Sequence, residues 1–412
     1  MSVRSESSSP PAEAPRVLFA AALGLACLGL AWGALHLSFF HRYQIVDTPV
    51  YQEYGEAMAA GQVPYRDFAV EYPPAALPLF VAPTVAPADR YETVFELLML
   101  ACAAGIVVFV AFTVGAVGGS SLRLVAAPAL SGLAPLALGS VVLTRYDLWP
   151  AALTATAAAA LVMRRERFAL GLLALGTAAK LYPAILVPVA LAYVWRRSGA
   201  RAAGTALAVF TAVVVFLFLP FALVAPDGLA DSVGRQLGRP LQIESLGASL
   251  LLVAHRLGWY APTVVTTHGS QNLAGELPDA LASVQTVLQA ASLLAVWWLA
   301  ARQNVGRGRL LLALAAAVVA FVALGKVLSP QFLVWLVPLV PLVGGAAGFA
   351  AGVLLAGTLV ATQLWFPTRY WDVVGLGPEA WMVLGRNLLL FVLLGILLSA
   401  LVRRARAAPR SA

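Results

Sequence analysis

The sequence predicts an all-α membrane protein that crosses the bilayer about twelve times, and three observations carry this prediction. Of the 412 residues 61% are hydrophobic and only 11% are charged, whereas a soluble domain carries about 25% charged residues. Apolar runs of about 20 residues recur along the chain, each long enough to cross the hydrocarbon core as a helix. The runs are continuous and rich in Leu, Ala and Val, without the alternation that a β-barrel strand requires.

Short loops rich in arginine separate the apolar runs and predict the topology. The runs lie at 17–39, 93–117, 123–143, 147–163, 168–195, 202–224, 281–301, 309–325, 330–345, 349–366 and 382–402. Positive loops stay on the cytoplasmic side of a membrane. We therefore assign four clusters to the cytoplasm: Arg164, Arg165 and Arg167; Arg196, Arg197 and Arg201; Arg302, Arg307 and Arg309; and Arg403, Arg404 and Arg406.

The run 168–195 has a cytoplasmic cluster at both ends but is too short for two full-length helices. A single helix would leave the membrane on the wrong side. Two short helices with a break around Lys180-Leu181-Tyr182-Pro183 satisfy the topology, because proline disfavours helical geometry at the residue before it. With this hairpin, both termini are predicted to be cytoplasmic.

The chain is predicted to form one transmembrane domain, residues 16–402, in the plasma membrane. Residues 1–15 are rich in Ser, Pro, Glu and Ala and predict a disordered cytoplasmic tail, while 403–412 form a basic tail. The net charge of +8 reflects topology signals and not a basic stripe, so no nucleic-acid partner is expected. Cys27 and Cys102 lie inside apolar runs and suggest neither a metal site nor a disulfide framework.

Most acidic residues fall on the predicted outer side, in loops near 40–92 and 225–280. Asp47 follows the first apolar run, which places it at the membrane surface between lipid and water. A general base requires such a position and a pKa tuned by its neighbours. Four further acids of this loop compete for the role of base: Glu53, Glu56, Asp67 and Glu71. In the alternative interpretation these acids are solvated loop residues or helix caps.

The segment TRYDLWP, residues 144–150, follows the third apolar run. Arg145 and Asp147 are expected at its outer end, where they pair with each other or with a ligand. The alternative is an interfacial ion pair beside an aromatic belt of Tyr146 and Trp149.

Lys180 and Lys326 are the only lysines among the 27 cationic residues. Their contexts, AAKLYP and GKVLSPQ, are similar, because each lysine ends an apolar run and precedes a proline. A charge at membrane depth is costly and indicates function, and lysine suits a phosphate head group. The alternative is that both side chains only extend to the interface.

The second outer loop contains GRPLQIESLGAS, residues 238–249. Arg239, Gln242, Glu244 and Ser245 supply a cation, an amide, an acid and a hydroxyl, a mixture that suits sugar hydroxyls. The apolar stretch after it is too short to cross the membrane and is expected to lie at the interface.

These segments together resemble glycosyltransferase family 87, membrane proteins that are similar to the actinobacterial α-mannosyltransferases that use polyprenyl-phosphate-mannose. The resemblance rests on Asp47, on G-x-x-x-Y-x-D-x-x-x-E-Y-P-P at 61–74, and on RYDLWP, AAKLYP and GKVLSPQ, which occur in the family's order. It spans roughly residues 17–402.

The resemblance implies a GT-C-like fold with short or broken helices and large outer loops. It implies a polyprenyl-phosphate sugar donor, a lipid or glycan acceptor, inverting transfer, and Asp47 as the catalytic base. Lys180, Lys326 and Arg145 are expected to bind the donor phosphate. The residues expected to bind substrate are Tyr51, Tyr65, Asp67, Glu71, Tyr72, Asp147, Gln242, Glu244 and Gln331.

No metal and no cofactor are expected. The four histidines are scattered, no phosphate-binding glycine loop is present, and the first loop lacks the paired acids of some GT-C relatives. A single base with nearby cations suffices for inverting transfer from a phosphate, which is already a good leaving group.

Two alternatives use the same residues differently. A transporter or flippase of lipid-linked glycans would place polar residues near the bilayer midplane, often in repeated halves, and the two lysine segments are the only hint of such repetition. A non-catalytic assembly protein would not explain the concentration of acids or the two lysines.

Overall fold

The computed structural model describes residues 14–41, 45–302 and 306–406, so most of the two predicted tails lies outside the described residues. Helices dominate this part of the chain. The α-helices are α1 Ala14–Leu35, α2 Ser38–His41, α3 Thr48–Ala59, α4 Leu77–Val81, α5 Tyr91–Ala116, α6 Ser121–Leu138, α7 Val141–Thr144, α8 Leu148–Val162, α9 Glu166–Ala179, α10 Val187–Val224, α11 Pro226–Leu237, α12 Leu246–Arg256, α13 Glu276–Ala301, α14 Arg307–Ala323, α15 Gly345–Gln363, α16 Tyr370–Val374 and α17 Ala380–Arg406.

Several segments form 3-10 helices, namely Pro74–Ala76, Ala82–Val85, Ala88–Arg90, Tyr182–Leu186, Pro330–Leu336 and Val340–Leu342. The last two correct the expectation of a regular helix over 330–345. Pro330, Pro338 and Pro341 lie in this stretch, and each lacks the backbone N–H that a continuous α-helix requires.

Within the described residues, seven helical segments are long and apolar enough to cross a membrane: Ala14–Leu35, Ala88–Ala116, Ser121–Leu138, Tyr182–Val224, Glu276–Ala301, Gly345–Gln363 and Ala380–Arg403. Four shorter apolar segments accompany them: Pro74–Val85, Leu148–Val162, Leu246–Arg256 and Pro330–Leu342. This architecture confirms the all-α polytopic membrane fold, whereas the count of about twelve crossings stays a prediction.

The hairpin expected over 168–195 is present as a break in the helix. α9 ends at Ala179, Lys180 has extended backbone geometry, and a 3-10 turn begins at Tyr182. A second break falls at Gly199, whose φ of 86° and ψ of 172° are non-helical and divide α10. The helical path is therefore interrupted twice between 166 and 224, whereas the membrane side of each arginine cluster stays a prediction.

The core is centred on α14. Every residue from Leu310 to Ala320 is buried, as expected for a helix that is hydrophobic on all sides. Elsewhere small residues bring helices together. A Cβ on Gly132 of α6 would lie 2.3 Å from the carbonyl oxygen of Gly24 in α1, so these two helices pack closely through glycine.

The second large loop folds more than the sequence predicts. It holds α11, α12 and a three-stranded antiparallel sheet of β1 Leu241–Gln242, β2 Thr263–Thr267 and β3 Ser270–Ala274, in the order β1-β3-β2. In β2–β3, Val265 pairs with Asn272. The stretch expected at the membrane interface forms α12, whose Leu251 and Leu252 are buried and which packs on α13 and α17. Its place at the interface stays a prediction.

The bundle has two chemically different ends. We call one of them the arginine end. There Arg196 donates to the carbonyl of Ala301 at 2.8 Å, and Ser198 donates to Glu166 at 2.8 Å. The other, the polar end, is defined by contacts among Asp47, Arg145, Asp147, Lys180, Gln242 and Lys326. Apolar helices run between the two ends, so the candidate site lies at one end only.

Candidate functional site

Asp47 lies at the N-terminus of α3, where it is the N-cap residue without a side-chain capping bond. Asp47 is thus tied to the start of α3, whereas the first membrane helix α1 ends at Leu35. Pro49 sits in the first turn of α3, and proline is suited to starting a helix. Asp47 is thus fixed by a helix start, and its side chain is 25% exposed.

Arg145 forms an ion pair with Asp47 and also donates to the carbonyl of Ile45 at 3.3 Å. Its side chain is 12% exposed. The sequence left open whether Arg145 and Asp147 pair with each other. They pair with different residues, because Asp147 joins Lys180.

Asp147 is 1% exposed and binds two donors through the same oxygen. Lys180 Nζ lies 2.7 Å from Asp147 Oδ1, and the indole Nε1 of Trp335 donates to Oδ1 at 2.7 Å. The second carboxylate oxygen has no hydrogen-bond partner among the described residues. Buried carboxylate oxygens normally accept hydrogen bonds, so Oδ2 is suited to accept one from a ligand or a water molecule.

Aromatic rings surround the Lys180 ammonium. Nζ lies 4.7 Å from the ring centre of Tyr146, 5.3 Å from that of Trp335 and 5.5 Å from that of Phe332. Cation–π contacts at these distances help to hold a partly desolvated cation. Lys180 therefore has one acid and three rings that fix its position.

The two lysine segments also correspond in structure. Lys180 lies between α9 and the 3-10 helix Tyr182–Leu186, and Lys326 lies between α14 and the 3-10 helix Pro330–Leu336. The two 3-10 helices meet through Tyr182 and Trp335, whose rings stack at 4.3 Å and 6°. Lys326 is half-buried, and its carbonyl accepts from the backbone N–H of Gln242 at 3.0 Å.

Tyr51 and Tyr72 belong to an aromatic cluster beneath Asp47. Tyr51 stacks on Phe80 at 4.5 Å, and Tyr72 meets Tyr146 edge-on at 5.1 Å. Tyr51 is 1% exposed, and its hydroxyl reaches Asp47 Oδ2 at 3.4 Å. The cluster connects Asp47 to the ring beside Lys180.

The remaining first-loop candidates are Tyr65, Asp67 and Glu71. Tyr65 is buried and donates to the carbonyl of Tyr72 at 2.6 Å, which supports the loop. Asp67 pairs with Arg66 and accepts from the N–H of Val63 at 2.7 Å. These bonds lower the pKa of Asp67 to about 2, below its ordinary value, which makes it a weak proton acceptor.

Glu71 faces an outer cleft instead. The cleft has a volume of about 250 Å³ and is lined by Glu71, Arg235, Gln236, Arg239, Thr267 and His268. Arg239 donates to the carbonyl of His268 at 2.8 Å, and Gln236 donates to that of Glu71 at 3.2 Å. The cleft therefore joins the first loop to the sheet of the second.

Gln242 and Glu244 lie at the inner edge of that sheet, 4% and 2% exposed. The main-chain carbonyl of Glu244 accepts from Arg386 at 2.9 Å and from Asn387 at 3.1 Å. Burial raises the pKa of the Glu244 carboxyl to about 7. Gln331 lies in the first turn of the 3-10 helix after Lys326 and is half-buried.

Sequence reasoning missed three residues that contact these groups. Trp335 binds Asp147, and Arg386 and Asn387 of α17 bind Glu244. A signal for the last two was present, because Arg386 interrupts the apolar run 382–402, and an intramembrane charge is a functional hypothesis by default. Trp335 gave no comparable signal within its apolar run.

No group of three or more His, Cys, Asp or Glu side chains lies close enough to hold a metal ion within the described ranges. Independence from metals stays a prediction. The charged groups that the structure brings together are cations and carboxylates in pairs.

Fold and site together define a polytopic membrane protein with two acid–cation pairs at one end of its helical bundle. The sequence model of glycosyltransferase family 87 matches residues 70–330, and the chain belongs to this family. It is a membrane glycosyltransferase. The matched range contains Arg145, Asp147, Lys180 and Lys326. No curated protein matches the sequence.

Proposed function

We propose that the protein transfers a sugar, mannose in the first instance, from a polyprenyl-phosphate donor to a lipid or glycan acceptor on the outer face of the plasma membrane. The observation that carries the proposal is the adjacency of two acid–cation pairs, Asp47–Arg145 and Asp147–Lys180. Arg145 and Asp147 are two residues apart, so one short segment belongs to both pairs. A proton acceptor and cations for a phosphate are thereby held in one place.

The proposed chemistry is a single inverting displacement. The acceptor hydroxyl oxygen attacks the anomeric carbon of the donor while its proton passes to Asp47. The bond between the anomeric carbon and the phosphate oxygen breaks, and its electron pair stays on the phosphate. Cations near that oxygen stabilise the charge that develops there.

Arg145 links the two substrates in this proposal. It forms an ion pair with Asp47, and a carboxylate held by a cation is a poorer proton acceptor. A donor phosphate that engages Arg145 weakens the ion pair and leaves Asp47 able to accept a proton. Lys180 and Lys326 supply the other cations for the phosphate.

A turnover assay with purified protein tests the proposal. Radiolabelled polyprenyl-phosphate-mannose is incubated with a membrane lipid and glycan extract, and the label is followed into product, with Asp47→Asn as the inactive control. Transfer of label by the wild-type protein, and not by Asp47→Asn, supports the proposal. Movement of intact donor across liposome membranes without transfer would favour the flippase alternative.

A further inference from the structure

A second polar cluster lies between the β1 turn and α17, separate from the two acid–cation pairs. It consists of Gln242, Glu244, Trp365, Arg386 and Asn387, each at most 4% exposed. Arg386 and Asn387 are anchored to the carbonyl of Glu244. The guanidinium of Arg386 also lies 5.5 Å from the ring centre of Trp365. Main-chain and ring contacts therefore hold the cluster in place.

Six buried polar atoms of this cluster have no hydrogen-bond partner among the described residues. Three are donors, namely Arg386 Nε, Arg386 Nη1 and Trp365 Nε1. Three are acceptors, namely Gln242 Oε1, Glu244 Oε2 and Asn387 Oδ1. Most buried polar atoms in proteins find a partner, so this concentration on five neighbouring side chains indicates that something else binds them.

The mixture of donors and acceptors decides the ligand chemistry. A phosphate offers only acceptor oxygens, and the acceptors of Gln242, Glu244 and Asn387 would have nothing to bind. A sugar hydroxyl both donates and accepts, so adjacent hydroxyls can satisfy both kinds of atom. The cluster fits a neutral polyol better than an anion.

The position of the cluster fits the same ligand. The Glu244 carboxylate is near enough to Arg145 and to Arg239 of the outer cleft to interact electrostatically with both. The cluster is thus within electrostatic range of the cation that we assign to the phosphate.

We propose that Gln242, Glu244, Trp365, Arg386 and Asn387 form a subsite for the hydroxyls of a pyranose, an inference that rests on the proposed function. The pyranose belongs either to the donor or to the acceptor, and in both cases its hydroxyls make the same kind of hydrogen bonds with the cluster. Arg386, Asn387 and Trp365 lie outside the range that the family model matches.

Binding measurements with three probes test the subsite: polyprenyl-phosphate-mannose, polyprenyl phosphate without sugar, and methyl α-mannopyranoside. The main variants are Glu244→Gln and Gln242→Leu. Glu244→Gln leaves the bonds from α17 intact, because they end on the main-chain carbonyl of Glu244. The control is Ser249→Ala. It removes one hydrogen bond to Asn387 and leaves in place all six polar atoms that we assign to the sugar.

If the subsite holds the donor sugar, the wild-type protein binds the mannosylated lipid about tenfold more tightly than the bare lipid phosphate, the size expected for one or two buried hydrogen bonds. Both variants abolish that preference and leave binding of the bare lipid unchanged, whereas the control retains it. If the subsite holds the acceptor sugar, the variants keep the donor preference and weaken methyl α-mannopyranoside binding by a similar factor.

The proposal is overturned if variants and control bind all three probes alike, or if the variants weaken both lipids equally. In that case wild-type transfer activity would still support the proposed function. Conversely, glycoside binding that depends on Glu244, without binding of either lipid, would leave the subsite standing and defeat the polyprenyl-phosphate donor. Absence of binding to every probe in the wild type defeats both.

Discussion

Lys180 Nζ lies 2.7 Å from Asp147 Oδ1, and the two residues come from different helix junctions at the polar end. Asp147 starts α8, and Lys180 ends α9. Trp335, from the second broken segment, donates to the same oxygen. Three separate parts of the chain therefore converge on one carboxylate, which helps to fix the position of the lysine.

Lys180→Gln is expected to destabilise the protein as well as reduce donor use. Removing the cation leaves a buried carboxylate without its ionic partner, and such a loss costs about 3–5 kcal/mol. The double variant Lys180→Gln with Asp147→Asn removes both charges, so it should regain most of the lost thermal stability. Thermal midpoints in detergent measure this part of the prediction.

Donor use should stay low in the double variant, because a lost charge contact to a phosphate in a shielded site costs about 2–4 kcal/mol. Lys326→Gln is the matched control, since it removes the other lysine without removing the partner of Asp147. It should weaken donor use with a smaller fall in thermal midpoint. Full transfer activity in both lysine variants would show that neither lysine contacts the donor.

Asp47→Asn is expected to lower transfer about 10²–10⁴-fold, the usual contribution of a general base, while donor binding persists. The amide keeps the shape and can still contact Arg145, but it cannot accept the proton. Single-turnover rates at saturating donor measure the effect. Glu53→Gln and Glu56→Gln are suitable controls, because both side chains are exposed acids on α3.

A near-normal rate for Asp47→Asn, together with an inactive Glu71→Gln, would move the base to the outer cleft. Asp67→Asn is expected to remain active, because the low pKa of Asp67 already makes it a poor base. This comparison locates the base without depending on the identity of the sugar.

The raised pKa of Glu244 predicts that its contribution to folding stability depends on pH. Its pKa of about 7 lies above its ordinary value, so between pH 4.5 and 7 the folded protein holds a proton that the unfolded chain has released. Unfolding then releases a proton, and stability falls as pH rises through this window. The total decrease in the free energy of unfolding across this window is on the order of 3 kcal/mol.

The measurement is the difference in thermal midpoint between the wild-type protein and Glu244→Gln at several pH values. The wild-type protein should lose stability relative to the variant from pH 5 to 8, because the glutamine does not ionise. A constant difference across this range would show that Glu244 does not titrate there.

The arginine end is expected to face the cytoplasm. In a background with Cys27 and Cys102 replaced, cysteine at Arg165 or Arg197 should not react with an impermeant maleimide added outside intact cells. Cysteine at Gln62, an exposed residue of the first loop, should react. Outside labelling at Arg197 would contradict the predicted orientation of the hairpin.

The sequence by itself determined the membrane fold, the break at Lys180 and the segregation of charges between the two ends. These features follow from local properties: apolar run length, proline position and the arginine content of short loops. It also located Asp47, Arg145, Asp147 and Glu244 as chemically interesting residues. Such information is carried by residue type and neighbours along the chain.

Only the tertiary structure decided which charges pair. Arg145 is two residues from Asp147 but binds Asp47, and Asp147 binds Lys180 instead. The partners Trp335 and Arg386 come from segments far along the chain. Spacing along the sequence gives no distance between separate helices, because helix packing fixes the positions of their ends. For the same reason the apolar stretch 330–345, which reads as a helix by composition, is held as 3-10 turns against α14 and the Tyr182 segment.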